Sequence, residues 1–531
     1  MEPTSQQSSQ IHQQYQIEPV GGCLINHLNV WEQIGAAEVV KQGIIANWKD
    51  PNSPKWLKNN RFIPKHPTSQ TYLPILEQLI TKDLSQKVIK VVNEKDTKRF
   101  NPIFTVPKGK SGKWRRIMDC SLLNEHLNSD HFKMEDIRTL REVAQQQNWA
   151  IKIDLTSAFN HIPDSRNLSQ YLGFKFQDKC YEHTAMYYGI RHATLTFHSI
   201  IRYTLEYIRR TLQIRCLSYC DDLLFLHQAK NTLQQQTNQI LRILSEFGWK
   251  VSIKKSNIMS TQQFEYLQCF LDTSKNQMSM TKQRRAEMLQ QISRWRRTIV
   301  KKKIDRIKWW AGLIGKLTFL RLQIRKGGLH MSQMNKQLNQ AVKARNWYSW
   351  MWINKTVLTE SGWWNKTIAL NNPIPLMNQQ PEAILTTDVS EDLWGATLEI
   401  LELKREIKLS ETWTSKWKLT SSNQRETVAI YLALCRSEKD HKNFKITNLR
   451  IQSDNSAAVF NLNHGAAAPV RASLVNKIME KLESMEMIFT AFHIPGKSNQ
   501  VADALSRLST SGDYEIRQEV LQEAQRVLDI K

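Results

Sequence analysis

The run LSYCDDLLFL sets Asp221 and Asp222 side by side between two apolar stretches, and it restricts the possible folds more than any other segment of the chain. Apolar residues on both sides of a short polar pair predict two strands joined by a tight hairpin with buried flanks and the acids at its turn. Two carboxylates about 4 Å apart repel by roughly 4 kcal/mol at an effective dielectric near 20, so a fold that builds in such a pair is expected to set a cation against it. A third acid, Asp154, ends the strand pattern of AIKIDLTSAF, where Ile151 and Ile153 alternate. Hard oxygen donors of this kind suit magnesium or manganese. Three carboxylates on adjacent strands can hold two ions about 3.5 to 4 Å apart, the arrangement that supports in-line phosphoryl transfer. The chemistry indicated is nucleotidyl transfer.

Upstream, VPKGKSGKWRRIMDCSLLN places Lys108 and Arg115 on the two flanks of an SGK turn. A point charge and a guanidinium fork in that position would grip phosphates. The order is then strand Asp154, the glycine-bearing MYYGIRHATLTFH, the Tyr219-Cys220-Asp221-Asp222 hairpin, and GWKVSIKKS. In that order and content the segment resembles the fingers and palm of a reverse transcriptase. The resemblance implies that Asp154, Asp221 and Asp222 are catalytic metal ligands and that Lys108 and Arg115 bind the incoming triphosphate, with Asp119, Leu123 and Asn124 continuing the pattern. It also implies that Phe159 sits beneath the nucleotide sugar and excludes a 2′-hydroxyl, and that Gly189, preceded by Tyr188, lies under nucleotide and template. Two positions depart from the family: Thr194 stands where proline is usual, and Gln268 in FEYLQCF stands where the primer-grip hairpin commonly has glycine. Neither removes a metal ligand or a phosphate contact, so they are expected to bear on rate or template handling.

A second constellation lies near the end of the chain. ILTTDVS and LRIQSDNSAAV put Asp388 and Asp454 at the close of β-rich runs, and SSNQRETVAIYLAL puts Glu426 in the first turn of a helix, with Ser421 and Gln424 at capping-box spacing. HIPGKSNQVADALSR adds His493, Asn499 and Asp503, the last in the first turn of another helix. Four acids from separate strands and helices fit a second two-metal site, one that activates water against a phosphodiester. In order and spacing they resemble ribonuclease H, and Asp503 follows His493 by ten residues, as that family's last aspartate follows its loop histidine. His493 is then expected to protonate the leaving group or assist product release.

Composition agrees with a polyanionic partner. The 531-residue chain carries a formal net charge of +25 and is 41% hydrophobic, with no apolar run of the roughly 20 residues that cross a bilayer. That predicts a soluble protein of several domains with no membrane partner. Basic residues are densest between Lys282 and Lys308, where Met288, Ile292, Trp295 and Ile299 recur at helical spacing. The pattern predicts a thumb helix with an apolar inner face and a basic outer one. The seven cysteines form no C-x-x-C pair, and the Gln/Ser-rich opening lacks a signal-peptide core. Reduced thiols and an intracellular, cytoplasmic or nuclear, non-secreted protein are expected. HFKMEDIRTLREVAQQQ reads as a helix, and Trp309, Trp310, Trp347, Trp350, Trp352, Trp363 and Trp364 read as packing between helices.

The expected organisation is a mixed α/β (α+β) multidomain chain. It runs through a disordered tail (1–20), an N-terminal extension (21–71), fingers and palm (72–272), a helical basic thumb or connection (273–370), a proline-rich linker (371–382), a ribonuclease H-like domain (383–510) and a helical tail (511–531). GGCLINHLNVWEQIG, the KMED helix, SGWW, SDNSAAV and SNQVADALSR together look like the polymerase of DIRS-type retrotransposons, with Gypsy-type elements as the nearest alternative. The resemblance implies magnesium or manganese, two ions per site, acting on an RNA template, a DNA primer, an RNA/DNA hybrid and deoxynucleoside triphosphates. A domesticated relic that binds nucleic acid without catalysis is the other reading the sequence leaves open.

Overall fold

The computed structural model describes residues 18–64, 72–109, 112–377, 379–415, 417 and 419–507. The tail expected over 1–20 lies outside the described residues up to residue 17, and the tail expected over 511–531 lies wholly outside them. The chain divides into two compact units, one ending at Gln277 and the other beginning at Met278.

The first unit is organised by a four-stranded antiparallel sheet in the order Arg215–Tyr219, Asp222–His227, Trp149–Asp154, Asn257–Thr261. Leu223, Leu224, Phe225 and Leu226 are all buried, so both faces of that strand are covered, as the unbroken apolar run predicts. Helix Ala193–Leu212 buries Phe197, Ile200, Ile201, Leu205 and Ile208, one stripe at three- and four-residue spacing. The segment read as a separate N-terminal extension shares this core, with Cys23, Leu24, Trp31, Val40 and Leu57 buried in it, and Val20, the last residue of the tail expected to be disordered, is buried there too. The Trp31 indole Nε1 donates to the Phe247 carbonyl at 3.1 Å, and its ring meets Phe247 edge-on at 5.0 Å. The helix expected from Met134 is shorter than its apolar spacing suggests. It runs Ile137–Val143, because Asp136 caps it by accepting from the Arg138 N–H.

The second unit begins with helices Lys282–Val300, Ile307–Leu320, Ser332–Ala344 and Val357–Leu370 around their own core. Met288, Ile292, Trp295 and Ile299 face inward, as their spacing predicts. The tryptophans do not all follow. Trp310 and Trp364 are buried, but Trp309, Trp347, Trp350 and Trp352 are about half exposed, the last two because they alternate with buried Met351 on a two-stranded ribbon, Ile304–Arg306 with Trp350–Trp352, that interrupts the helices. The proline-rich segment is not a free linker, since Leu376 and Met377 are buried.

A five-stranded sheet follows. Numbered along the chain as Ala383–Val389, Leu393–Ile400, Arg405–Thr412, Asn448–Ser453 and Ile488–His493, its strands lie in the order 3-2-1-4-5. The first three are antiparallel, while the fourth runs parallel to the first and the fifth parallel to the fourth. Parallel neighbours bring their carboxyl ends to one edge, where a crevice forms. Among the described residues no helix is long and apolar enough to cross a membrane.

Candidate active sites

The first site sits at the hairpin of the four-stranded sheet. Register places Asp154 directly opposite Asp222, and Tyr219 opposite Asp222 across the hairpin, leaving Cys220 and Asp221 as the two turn residues. Cys220 takes the turn with φ 51°, and the Asp221 carbonyl accepts from the Leu155 N–H at 3.1 Å, tying the tip to the end of the Asp154 strand. Like charges facing one another across a sheet destabilise it. Burial first, then Asp154 and Asp222, push the Asp221 carboxyl above its ordinary range.

Two lysines that the sequence did not single out answer part of this charge. Lys255 Nζ lies 2.9 Å from Asp154 Oδ1, and Lys152 Nζ lies 2.9 Å from Asp222 Oδ1. Ser256 adds a further tie, its hydroxyl accepting from the Asp154 N–H at 3.0 Å. Glu135, from KMED, caps the outer edge: it accepts from the Ser218 N–H at 2.7 Å and from Arg209 at 3.2 Å, satisfying an edge-strand donor that would otherwise face no partner. Three aspartates are the donor type for a hard divalent cation, and each of the two lysine pairs engages one oxygen of its carboxylate.

The residues expected to bind nucleotide lie in the same compact unit. Lys108 follows the first strand of the Ile103–Pro107 and Trp114–Met118 hairpin, on which Arg115 pairs with Val106, and residues 110 and 111 of the connecting turn lie outside the described ones. Burial, Arg115 and Lys255 hold the Lys108 ammonium below its usual value while Asp154 acts the other way, which puts all four in one electrostatic neighbourhood. Phe159 is half-buried, its ring 5.1 Å from Phe197. The turn beneath it is pinned by His161, missed in the sequence. This ring is fully buried, bonds the Ala158 carbonyl through Nδ1 and accepts the Lys250 N–H at Nε2, and burial lowers its pKa to about 4. Gly189 has a local reason to be glycine, since a Cβ there would collide with the Tyr187 ring. Asn124 clamps the same turn, donating to the Gly189 carbonyl and accepting from the Arg191 N–H, both at 2.8 Å.

The two departures from the family pattern differ in physical consequence. Thr194 is in the first turn of helix Ala193–Leu212, where a backbone N–H has no intrahelical acceptor, so exchanging proline for threonine costs little. Gln268 is different. With Leu267 it makes the two-residue turn between Gln263–Tyr266 and Cys269–Asp272, and both have positive φ, 48° and 63°, the geometry that favours glycine. Gln268→Gly is therefore expected to stabilise the first unit by about 1 kcal/mol. Denaturant unfolding of the two proteins side by side checks this, and a destabilised variant would show that the turn is not strained.

The second site lies at the carboxyl edge of the five-stranded sheet. Asp388 closes the first strand and Asp454 follows the fourth, which pair in register through Thr387 and Ser453. Glu426 reaches them from helix Ser422–Arg436. Its place is the second turn rather than the first, because the helix starts at Ser422, capped by the Ser421 hydroxyl. The Gln424 side chain accepts from the Thr420 N–H at 2.9 Å, one residue before the position a standard capping box would use. Oxygens of Asp388, Glu426 and Asp454 all lie within 4.8 Å of one another, the one such group among the described residues. Asp388 accepts from Asn499 Nδ2 at 3.0 Å and from the Ser506 hydroxyl at 2.8 Å. Burial, then Asp454 and Asp388, raise the Glu426 carboxyl to about 8, while burial and the neighbouring acids raise Asp388 to about 6. Buried like charges that press one another toward neutrality are the donor set a divalent cation relieves.

Asp503 stands outside that triad. It is close enough to raise the Asp388 pKa, yet its Oδ1 is 2.6 Å from the Arg507 guanidinium. His493 is exposed and meets the Asp454 carbonyl through Nε2 at 3.0 Å. It therefore stands at the rim, beside the acids rather than among them.

Comparison with known proteins places the first site in a family. Residues 106–270 match the family described as Reverse transcriptase (RNA-dependent DNA polymerase). The Gag-Pol polyprotein of walleye dermal sarcoma virus is 26% identical over 241 residues, 45% of this chain and 13% of that polyprotein. The enzymatic polyprotein of cauliflower mosaic virus (strain Strasbourg) is 21% identical over 500 residues, 88% of this chain and 68% of its own length. The match thus spans only a small part of the first relative. Among solved structures, a foamy viral protease-reverse transcriptase in complex with double-stranded DNA superposes with a TM-score of 0.50 at 15% identity, covering 89% of this chain and 81% of that one, a likeness of fold. The chain thus carries, across the strand and the neighbouring hairpin that bring Asp154, Asp221 and Asp222 together, a reverse transcriptase domain of the kind found in retroelement polyproteins.

Proposed function

We propose that this chain is an RNA-directed and DNA-directed DNA polymerase with an associated ribonuclease H that degrades the RNA of RNA/DNA hybrids, and that it derives from a DIRS-type retrotransposon. The observation that carries the reading is a pair of carboxylate clusters in one chain, each at strand ends, the first inside the matched family segment. Polymerisation on RNA leaves a hybrid whose RNA must be removed, so the two sites serve one pathway.

Asp154, Asp221 and Asp222 would hold magnesium or manganese at the first site, and Asp388, Glu426 and Asp454, with Asp503 beside them, at the second. When bound, two such ions stabilise the attacking and leaving oxygens of phosphoryl transfer. The chain's own groups do the rest. Lys108 and Arg115 attract the triphosphate of a deoxynucleotide, and Phe159, on its His161-pinned turn, fills the space a 2′-hydroxyl would need. Gly189, on the turn that Asn124 clamps, would lie under template and nucleotide. Lys152 and Lys255 keep the carboxylates of Asp222 and Asp154 oriented and partly neutralised. At the nuclease site Asn499 and Ser506 fix both oxygens of Asp388, and His493 stands where it can give a proton to the departing oxygen.

Support for the DIRS assignment comes from GGCLINHLNVWEQIG, KMED, SGWW, SDNSAAV and SNQVADALSR. The experiment is primer extension by the purified full chain on a homopolymer RNA template with a DNA primer and labelled deoxynucleotide, alongside cleavage of labelled RNA in a hybrid. Both activities should require magnesium. Absence of both with magnesium and manganese supplied would leave a non-catalytic nucleic-acid-binding relic.

A further inference from the structure

The helical part of the second unit carries an aromatic surface that neither acidic site uses. On the two-stranded ribbon, Ile304 pairs with Trp352 and Arg306 with Trp350, while Asp305 and Met351 between them are buried. Period-two alternation therefore turns Ile304, Arg306, Trp350 and Trp352 to solvent. Trp309, Trp347 and Tyr348 flank them, and the four indoles are 46–49% exposed, Tyr348 67%. An apolar surface of this extent is rarely left open without a partner.

The surface is rigid and basic. The Trp347 carbonyl accepts from the Lys308 N–H at 3.1 Å, the Ser349 carbonyl from the Ile307 N–H at 3.0 Å, and the Trp350 carbonyl from the Arg345 guanidinium at 2.7 Å. Arg306 lies 5.8 Å from the Trp309 ring centre and 5.5 Å from that of Trp350, and Lys308 is 5.2 Å from that of Tyr348. Lys301, Lys302 and Lys303 precede the ribbon, all exposed. Between Glu287 and Glu360 the sole acidic residue in the sequence is Asp305, and it is buried against Arg294. Trp352 also borders a cleft of about 600 Å³ lined by Lys336, Gln337, Gln340 and Arg345.

We infer that the Trp309–Trp350–Trp352 face is a binding site for single-stranded nucleic acid, its rings stacking on unpaired bases and its interleaved cations meeting the phosphates. Exposed rings alternating with lysine and arginine are what a single strand needs, because every base has a stackable face. A duplex keeps its bases stacked within itself and offers the rings nothing. A second copy of the chain would bring one basic face against another. The inference rests on this surface alone and holds whether or not either acidic site is active.

The test compares the full chain with Trp350→Ala/Trp352→Ala, using fluorescence anisotropy of labelled single-stranded oligo(dT) and oligo(U) and of a blunt duplex of equal length. Loss of two stacked bases should weaken single-strand binding by about thirtyfold or more and change duplex binding by less than roughly twofold. Trp350→Phe/Trp352→Phe, which keeps a ring at each position, should recover most of the affinity. Unchanged single-strand binding, equal losses on both ligands, or no recovery with phenylalanine would overturn the inference. So would sedimentation showing that the alanine variant dissociates a wild-type dimer.

Discussion

Asp221→Asn should abolish primer extension, by on the order of a thousandfold, and leave hybrid cleavage within about twofold of the parent, while Asp454→Asn should do the reverse. The first half follows from what the substitution leaves in place. Asp221 holds its turn through its main-chain carbonyl to Leu155, and an amide of the same shape keeps that bond and the hairpin. What is lost is one of three carboxylates in a group where the other two already share an oxygen each with Lys152 and Lys255. Removing one negative charge from that set withdraws several kcal/mol of attraction for a divalent cation. The second half follows because Asp454 lies in another compact unit, with its own core around Leu385, Ala396 and Ile451. Changes at sites that share no partners are additive. Parallel primer-extension and hybrid-cleavage assays on both variants decide the matter. Undiminished extension by Asp221→Asn would remove the polymerase assignment, and joint loss of both activities in either variant would mean that the sites are not independent.

The acids were legible because their chemistry restricts both residue type and setting: Asp154, Asp221, Asp388 and Asp454 each end or follow a short run with the composition or alternation of a strand. The lysines were not. Lys152 reaches Asp222 because antiparallel register sets Asp154 opposite Asp222 and leaves Lys152 two residues away on the same face, and Lys255 reaches Asp154 from a segment that the sequence gives no reason to fold there. Glu135 was read as part of a helix by its spacing, but the Asp136 cap starts that helix later and frees Glu135 to bond the hairpin edge. The tryptophans were misplaced for a related reason. Trp350 and Trp352 lie two apart, a strand spacing, inside a stretch whose overall pattern is helical, and a three-residue ribbon is too short to stand out. The extension expected over 21–71 contains Pro51 and Pro54, yet Pro54 opens helix Ser53–Asn59 as a first-turn residue and Leu57 on that helix packs into the same core as the palm strands.

Glu426→Gln should stabilise the second unit at pH 8 without added metal, by on the order of 4 kcal/mol, and at the same time end hybrid cleavage. In the folded protein this carboxyl titrates at about 8, raised by burial and by Asp454 and Asp388, whereas an unfolded chain would release the proton near 4.5. Between those values the folded state binds more protons than the unfolded one. Stability accordingly falls as pH rises through that interval, and the loss is complete above about 8. Asp388, at about 6, acts in the same direction over the lower part of the interval. Glutamine carries no charge to bury, so its variant should show a flatter dependence. Magnesium should offset part of the penalty in the parent, by about 1.4 kcal/mol at tenfold excess over its Kd, and should do much less for the variant. Hydrogen exchange of the Ala383–Val389 strand, read from pH 5 to 9 with and without magnesium, follows this unit separately from the first. Equal protection in parent and variant at pH 8 would show that the triad is not strained by its own charge, and the case for a cation there would lose its physical basis.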